Sequence, residues 1–188
     1  MQPITDYPRD YTAVVARVGA TNAVRNGLVP WRVEQMYAQL VSDFASRDTN
    51  RILTTAFVMS HYVTDSFSLL HDTKVYDPNG LHSRWESDML NVTSNLNGIA
   101  ALANNSYIGT PGFLDPRNAI FDVVLVGNPL NSQLVAADQA TPGNLSAFYT
   151  QVKDLTARRW GDALTVMASL LWQAWVDAGK PELTGFSN

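Results

Sequence analysis

The sequence predicts an all-α fold, and three observations carry that expectation. Apolar residues recur every three or four positions along most of the chain, alternation with a period of two is hard to find, and Gly/Pro turn signals fall between the periodic runs. At 188 residues, 46% of them apolar, the chain is long enough to bury one substantial core, and its length fits a single helical domain over residues 1–188.

The first helix is expected from about Arg9 to Arg25, with Tyr11, Val14, Val15 and Val18 on its apolar face and Gly27 as its stop. Pro30 suits a first helical position, and Val33, Met36, Tyr37, Leu40, Val41 and Phe44 then form a core-facing stripe. Asp48 reads as the N-cap of a third helix reaching Leu69 or Leu70, with Ile52, Leu53, Ala56, Phe57 and Met59 as its apolar content. The turn formers of "DTKVYDPNG" make a loop, and "LHSRWESDMLNVTSNLNGIAALANN" reads as a fourth helix. "IGTPGFLDP" separates it from two short apolar stretches, Ile120 to Val126 and Leu130 to Ala137. One long helix follows from about Leu145 to Ala178, stopped by Gly179 and Pro181.

Charge and composition narrow the chemistry. A formal net charge of −4 with 16% charged residues gives no basic footprint for tracking a polyanion across a broad surface. A phosphate substrate stays open, because bound zinc can reverse the sign of a cleft's potential. The absence of cysteine excludes disulfides, thiolate catalysis and cysteine-based zinc sites, so metal ligands must be His, Asp or Glu. No apolar run is read as approaching the roughly 20 residues of a membrane span, and the first ten residues lack signal-peptide character. Either the chain is cytosolic or a leader has been removed.

All three histidines, His61, His71 and His82, fall within 61–87. Residues four apart on a helix share a face, so His61 with Asp65, and His82 with Glu86, can each aim an imidazole and a carboxylate at one point. His71, between the pairs, can lean toward either. One such pair alone is usually a surface ion pair or a hydrogen-bonded core histidine. Two pairs with a third histidine between them, in a chain with no other histidine, point to zinc, and a site of two His and one Glu leaves a fourth position open for water.

The pattern H-x3-D-x5-H followed about ten residues later by H-x3-E resembles the zinc-dependent phospholipase C family and the related trinuclear-zinc single-strand-specific nucleases. His61, Asp65, His71, His82 and Glu86 match it in order, and "NGLVPWRVEQMYAQL", "SHYVTDS", "GLHSRWES" and "WVDAGKPEL" extend the likeness over nearly the whole chain. The resemblance implies a helical fold with up to three zinc ions in a cleft, hydrolysing phosphodiester bonds of phospholipids or single-stranded nucleic acids. By position, His71, His82 and Glu86 would hold one zinc, while His61 and Asp65 would belong to a zinc pair that Asp65 bridges. The pair would activate a water, and the third ion would bind phosphate oxygen and the departing oxygen.

The chain departs from that pattern at its start. The family completes the paired site with an amino-terminal Trp, an early His, an Asp and a further His, whereas here no histidine precedes His61 and Trp31 stands in another context. The chain thus reads as a family member lacking its leading segment, with Asp6, Asp10 or Asp43 as the carboxylates that could compensate. It is then a fragment of a phosphodiesterase, a short relative working with one or two metals, or a non-catalytic zinc-binding module. Tyr62, Tyr76 and Trp85 are the aromatic candidates for stacking bases, with Trp85 expected to pack in the core. "SYIGTPGF" could supply an apolar rim for lipid, and Arg84 is expected to be solvated.

Overall fold

The computed structural model describes residues 8–25, 27–107, 112 and 114–184. Among these residues every regular element is helical and none is a strand: α1 Tyr11–Val18, α2 Ala20–Arg25, α3 Val29–Ser46, α4 Thr49–Asp65, α5 Leu81–Ser83, α6 Thr93–Ser106, α7 Pro116–Gly127, α8 Asn131–Ala140 and α9 Leu145–Asp177. A π-helical turn, Arg84–Asp88, continues α5, and 3₁₀ turns precede α5 and α8. The all-α expectation holds.

The chain forms two compact units. The first gathers Met1–Val63, Thr110–Leu125 and Val166–Asn188; the second gathers Thr64–Gly109 and Val126–Thr165.

In the first unit the helix expected from Arg9 to Arg25 is two helices. Gly19, at φ 81°, sits between them in a conformation that a side chain disfavours, and its N–H closes the last turn of α1 on the Val15 carbonyl. Asp10 caps α1 through the Ala13 N–H at 2.9 Å. Trp31 packs edge-on against Tyr11 and Phe121, its ring centroid 5.6 and 5.3 Å from theirs, beside buried Val14 and Ala23. Such aromatic pairs contribute about 0.5–1.5 kcal/mol each beyond the area they bury. Asp43, though charged, is 1% exposed, because Thr55 Oγ1 and Gln39 Nε2 donate to it at 2.6 and 2.8 Å and Arg51 pairs with it at 2.9 Å. This ties α3 to α4. Along α4, Ile52, Thr55, Met59 and Val63 are the buried residues, while Leu53 and Phe57 face outward, 54% and 78% exposed.

The second unit is built on Leu69, Leu70, Leu81, Met89, Ile99, Leu134 and Phe148, all essentially solvent-free. Each of these side chains contributes about 1.5–3 kcal/mol by burial. The expected third and fourth helices are both shorter here. α4 stops at Asp65 rather than at Leu69, and the chain turns through 66–72 with Leu69 and Leu70 still buried. The fourth helix is interrupted between the π turn and α6, where Asn95 donates back to the Met89 carbonyl. The two short apolar stretches are α7 and α8, and the long C-terminal helix is α9, followed by Gly179 at φ 84°.

The 25-residue stretch Pro116–Ala140 has the length and apolar content to cross a membrane, which the sequence reading did not anticipate. Its charged side chains Arg117, Asp122 and Asp138 are paired with Glu34, Arg9 and Arg84 respectively.

Candidate metal centre

His82 and Glu86 are held by the way residues 77–88 fold. Asn79 and Gly80 take left-handed backbone conformations, turning the chain into α5, and Asp77 Oδ1 accepts the His82 N–H at 3.0 Å. The Met89 N–H then reaches back five residues to the Arg84 carbonyl at 3.0 Å, widening the helix by one residue. Two anchors flank Glu86 in this turn. Arg84 grips Asp138 with two nitrogens, at 2.7 and 2.6 Å, and gives a third hydrogen bond to the Asn79 carbonyl. Trp85, 5% exposed, donates its indole N–H to Thr156 at 2.9 Å. Trp85 is therefore a packing residue, as expected. Arg84 is not the solvated side chain that the sequence suggested, and its hydrogen bonds to Asp138 raise its pKa further.

His71 comes from the turn after α4. Its Nε2 lies 3.3 Å from His82 Nε2 and 3.8 Å from Glu86 Oε1, and His82 Nε2 lies 2.8 Å from Glu86 Oε2. Within 4.8 Å of one another, these three residues are the group of potential metal ligands among the described residues. Donors about 2.0–2.2 Å from a tetrahedral zinc stand roughly 3.4 Å apart; the two imidazole nitrogens are already at 3.3 Å, and Glu86 Oε2, at 2.8 Å from His82, would have to move outward. The chemistry fits: two imidazole nitrogens and a carboxylate converge on one point, each able to offer a lone pair to a cation. Ser68 donates a short hydrogen bond to Glu86 Oε1, leaving Oε2 toward His82.

Asp65 lies outside that trio but beside it, with Oδ1 3.9 Å from His71 Nδ1. His61, one turn earlier on α4 and solvent-exposed, is not part of the group either; its ring meets Tyr62 edge-on at 5.6 Å. Of the carboxylates considered as substitutes, Asp10 is the α1 cap and Asp43 is saturated by Thr55, Gln39 and Arg51, so each already has a structural use. Asp6 lies outside the described residues, as does most of the "SYIGTPGF" loop. Tyr62 lies under the Arg32 guanidinium at 5.7 Å, and Tyr76 is 61% exposed on the loop between His71 and His82.

Asp65, Ser68 and Glu86 border a cavity of about 380 Å³ whose other walls include Phe67, Trp160 and Leu164. A hollow of about 400 Å³ in the first unit, among Asp43, Asp48 and Arg51, contains no histidine. Next to His71 in the chain, burial pushes the Asp72 carboxyl up to about 8 against the pull of Arg159, and burial lowers the Arg159 guanidinium. Sequence reasoning missed Ser68 and Asp77. Ser68 acts on a residue 18 positions away, and no spacing rule marks such a pair. Asp77 followed by Pro78 carries a visible turn signal, which gives no hint of the amide it caps. No family model, curated protein or solved structure gives a significant match to this chain.

Proposed function

We propose that this protein is a zinc-dependent phosphodiester hydrolase, acting on phospholipid head groups or single-stranded nucleic acid. The observation that supports this most is the convergence of His71, His82 and Glu86 beside a cavity. Three protein ligands leave a tetrahedral zinc one open position, the pattern of catalytic rather than structural sites. When bound, zinc would polarise a phosphoryl oxygen and make water a nucleophile at neutral pH.

The chain's own groups divide the remaining work. Asp65 Oδ1, 3.9 Å from His71 Nδ1, is placed to take its proton's hydrogen bond once the site closes on a metal, which would leave Nε2 as the metal-binding nitrogen. Ser68 fixes the rotamer of Glu86. Phe67 and Trp160 give the cavity beside Glu86 an apolar side, which would strengthen electrostatic interactions with a substrate bound there.

A non-catalytic zinc-binding module is the second reading, favoured because one group of three ligands, rather than the larger family set, converges among the described residues. Metal content after chelator-free purification, with hydrolysis of bis(p-nitrophenyl) phosphate by the zinc-loaded chain, separates the two. Zinc with turnover that Asp65→Asn abolishes supports the hydrolase. Zinc without turnover supports the module, and absence of bound zinc rejects both.

A further inference from the structure

Residues 66–72 carry Ser68 and His71 but belong to no helix, and most of the segment is buried: Ser66, Phe67, Leu69, Leu70 and Asp72 are each 8% exposed or less. A buried turn cannot leave its carbonyls to water, so each needs a donor from elsewhere. Its N–H groups are partly used within the turn, with Phe67, Ser68 and His71 donating to Thr64, Asp65 and Ser68 carbonyls. Its carbonyls are met by side chains distant in sequence. Arg159 Nε donates to the Phe67 carbonyl at 3.0 Å and Nη2 to the Ser66 carbonyl at 3.4 Å. Asn131 donates to the Leu69 carbonyl at 3.1 Å and Asn128 to the Asp72 carbonyl at 2.6 Å.

Arg159 does most in this arrangement. Its side chain is 3% exposed, its guanidinium lies 4.8 Å from the centroid of the Phe67 ring, and Nη2 is 3.8 Å from Asp72 Oδ2. One planar fork thus reaches both ends of the turn, which a lysine's single nitrogen cannot do. Gly127 makes room for it. Its backbone is ordinary right-handed helix, so glycine is not needed there for conformation, yet an added Cβ would collide with Asp72 Oδ2 and stand 2.7 Å from Arg159 Nη2.

The geometry points to Arg159, seated against Gly127, as a positioning residue for the metal centre: it fixes the turn that presents His71 and Ser68, and so sets metal affinity. This inference rests on the zinc reading above. Groups that orient metal ligands from outside the coordination sphere typically change affinity by about 10- to 100-fold when removed.

The test compares Arg159→Lys with Val152→Ala on the same helix, which opens the core of the same unit without touching the turn's carbonyls. Zinc affinity by competition, the visible spectrum of the Co²⁺-loaded chain, and metal-free hydrogen exchange of peptides covering 66–72 are measured on the full chain. The expected result for Arg159→Lys is zinc binding weakened about 10- to 100-fold, an altered cobalt spectrum and faster exchange in 66–72, with Val152→Ala leaving all three near wild type. Equal effects of the two variants, or no effect of Arg159→Lys, overturn the proposal. Should Arg159→Lys not fold, Gly127→Ala takes its place, with zinc binding weakened about tenfold as support and unchanged binding as refutation. Wild-type protein that takes up no zinc rejects the metal reading itself; the exchange of 66–72 still reports on whether Arg159 holds the turn.

Discussion

At the scale of single residues, the centre rests on which atoms face which. His82 Nε2 meets both His71 and Glu86, so on the zinc reading His82→Ala removes the side chain that joins the other two. A ligand at a hundred times its Kd stabilises the native state by about 2.7 kcal/mol. His82→Ala is expected to lose the zinc-dependent rise in Tm and the bound zinc together, as read by thermal denaturation with and without chelator. Unchanged zinc content in the variant would refute the assignment. Ser68→Ala keeps every ligand but frees Glu86 to rotate, and is expected to weaken zinc binding about tenfold in a competition titration. That His82 and Glu86 point to one place was legible from spacing, because residues four apart on a helix share a face, and they still do so through the π turn. The role of Ser68 was not, because its partner Glu86 is 18 positions away and no spacing rule marks such a pair.

At the scale of elements, two polar ties join neighbouring segments. Asp43 joins α3 to α4 by accepting from Thr55 and Gln39 and pairing with Arg51. Asp43→Ala leaves buried Thr55 without its acceptor and is expected to cost about 2–3 kcal/mol in urea denaturation. A loss below about 0.5 kcal/mol would mean that water takes over the carboxylate's role. Arg84 and Asp138 join the π turn to α8 with both side chains less than a third exposed. A double-mutant cycle of Arg84→Ala and Asp138→Ala is expected to give about 1–2 kcal/mol of coupling. Helix existence was legible at this scale because apolar periodicity is a summed signal. The break at Gly19 and the early end of α4 were not. In α4 the apolar pattern runs on through Phe67, Leu69 and Leu70, and these are buried as a turn rather than as helix.

At the scale of the whole molecule, His71, His82, Glu86 and Asp65 all belong to the second unit. If the proposed centre takes zinc, the metal is expected to slow hydrogen exchange in 64–107 and 126–165 and to leave 29–46 unchanged, measured by mass spectrometry. Equal protection of α3 would show that the two units respond together. The all-α class followed from periodicity alone, whereas the division into two units did not: α4, α7 and α9 each supply residues to both, and a continuous helix gives no compositional sign of where one core ends.

The loop between His71 and His82 has one further consequence. The residues from Lys74 to Asp77 are exposed, and the two imidazoles at the loop's ends nearly touch. Such a loop is closed at its base, so its length is almost independent of its ends: doubling it costs about 0.6 kcal/mol in closure entropy. In a cysteine-free chain, a metal at that base would do the work of a cross-link, and Gly-Ser spacers inserted between Lys74 and Val75 would leave zinc affinity close to that of the parent. The exposed Val75 and Tyr76 then become a segment that can be lengthened, shortened or exchanged beside a fixed centre.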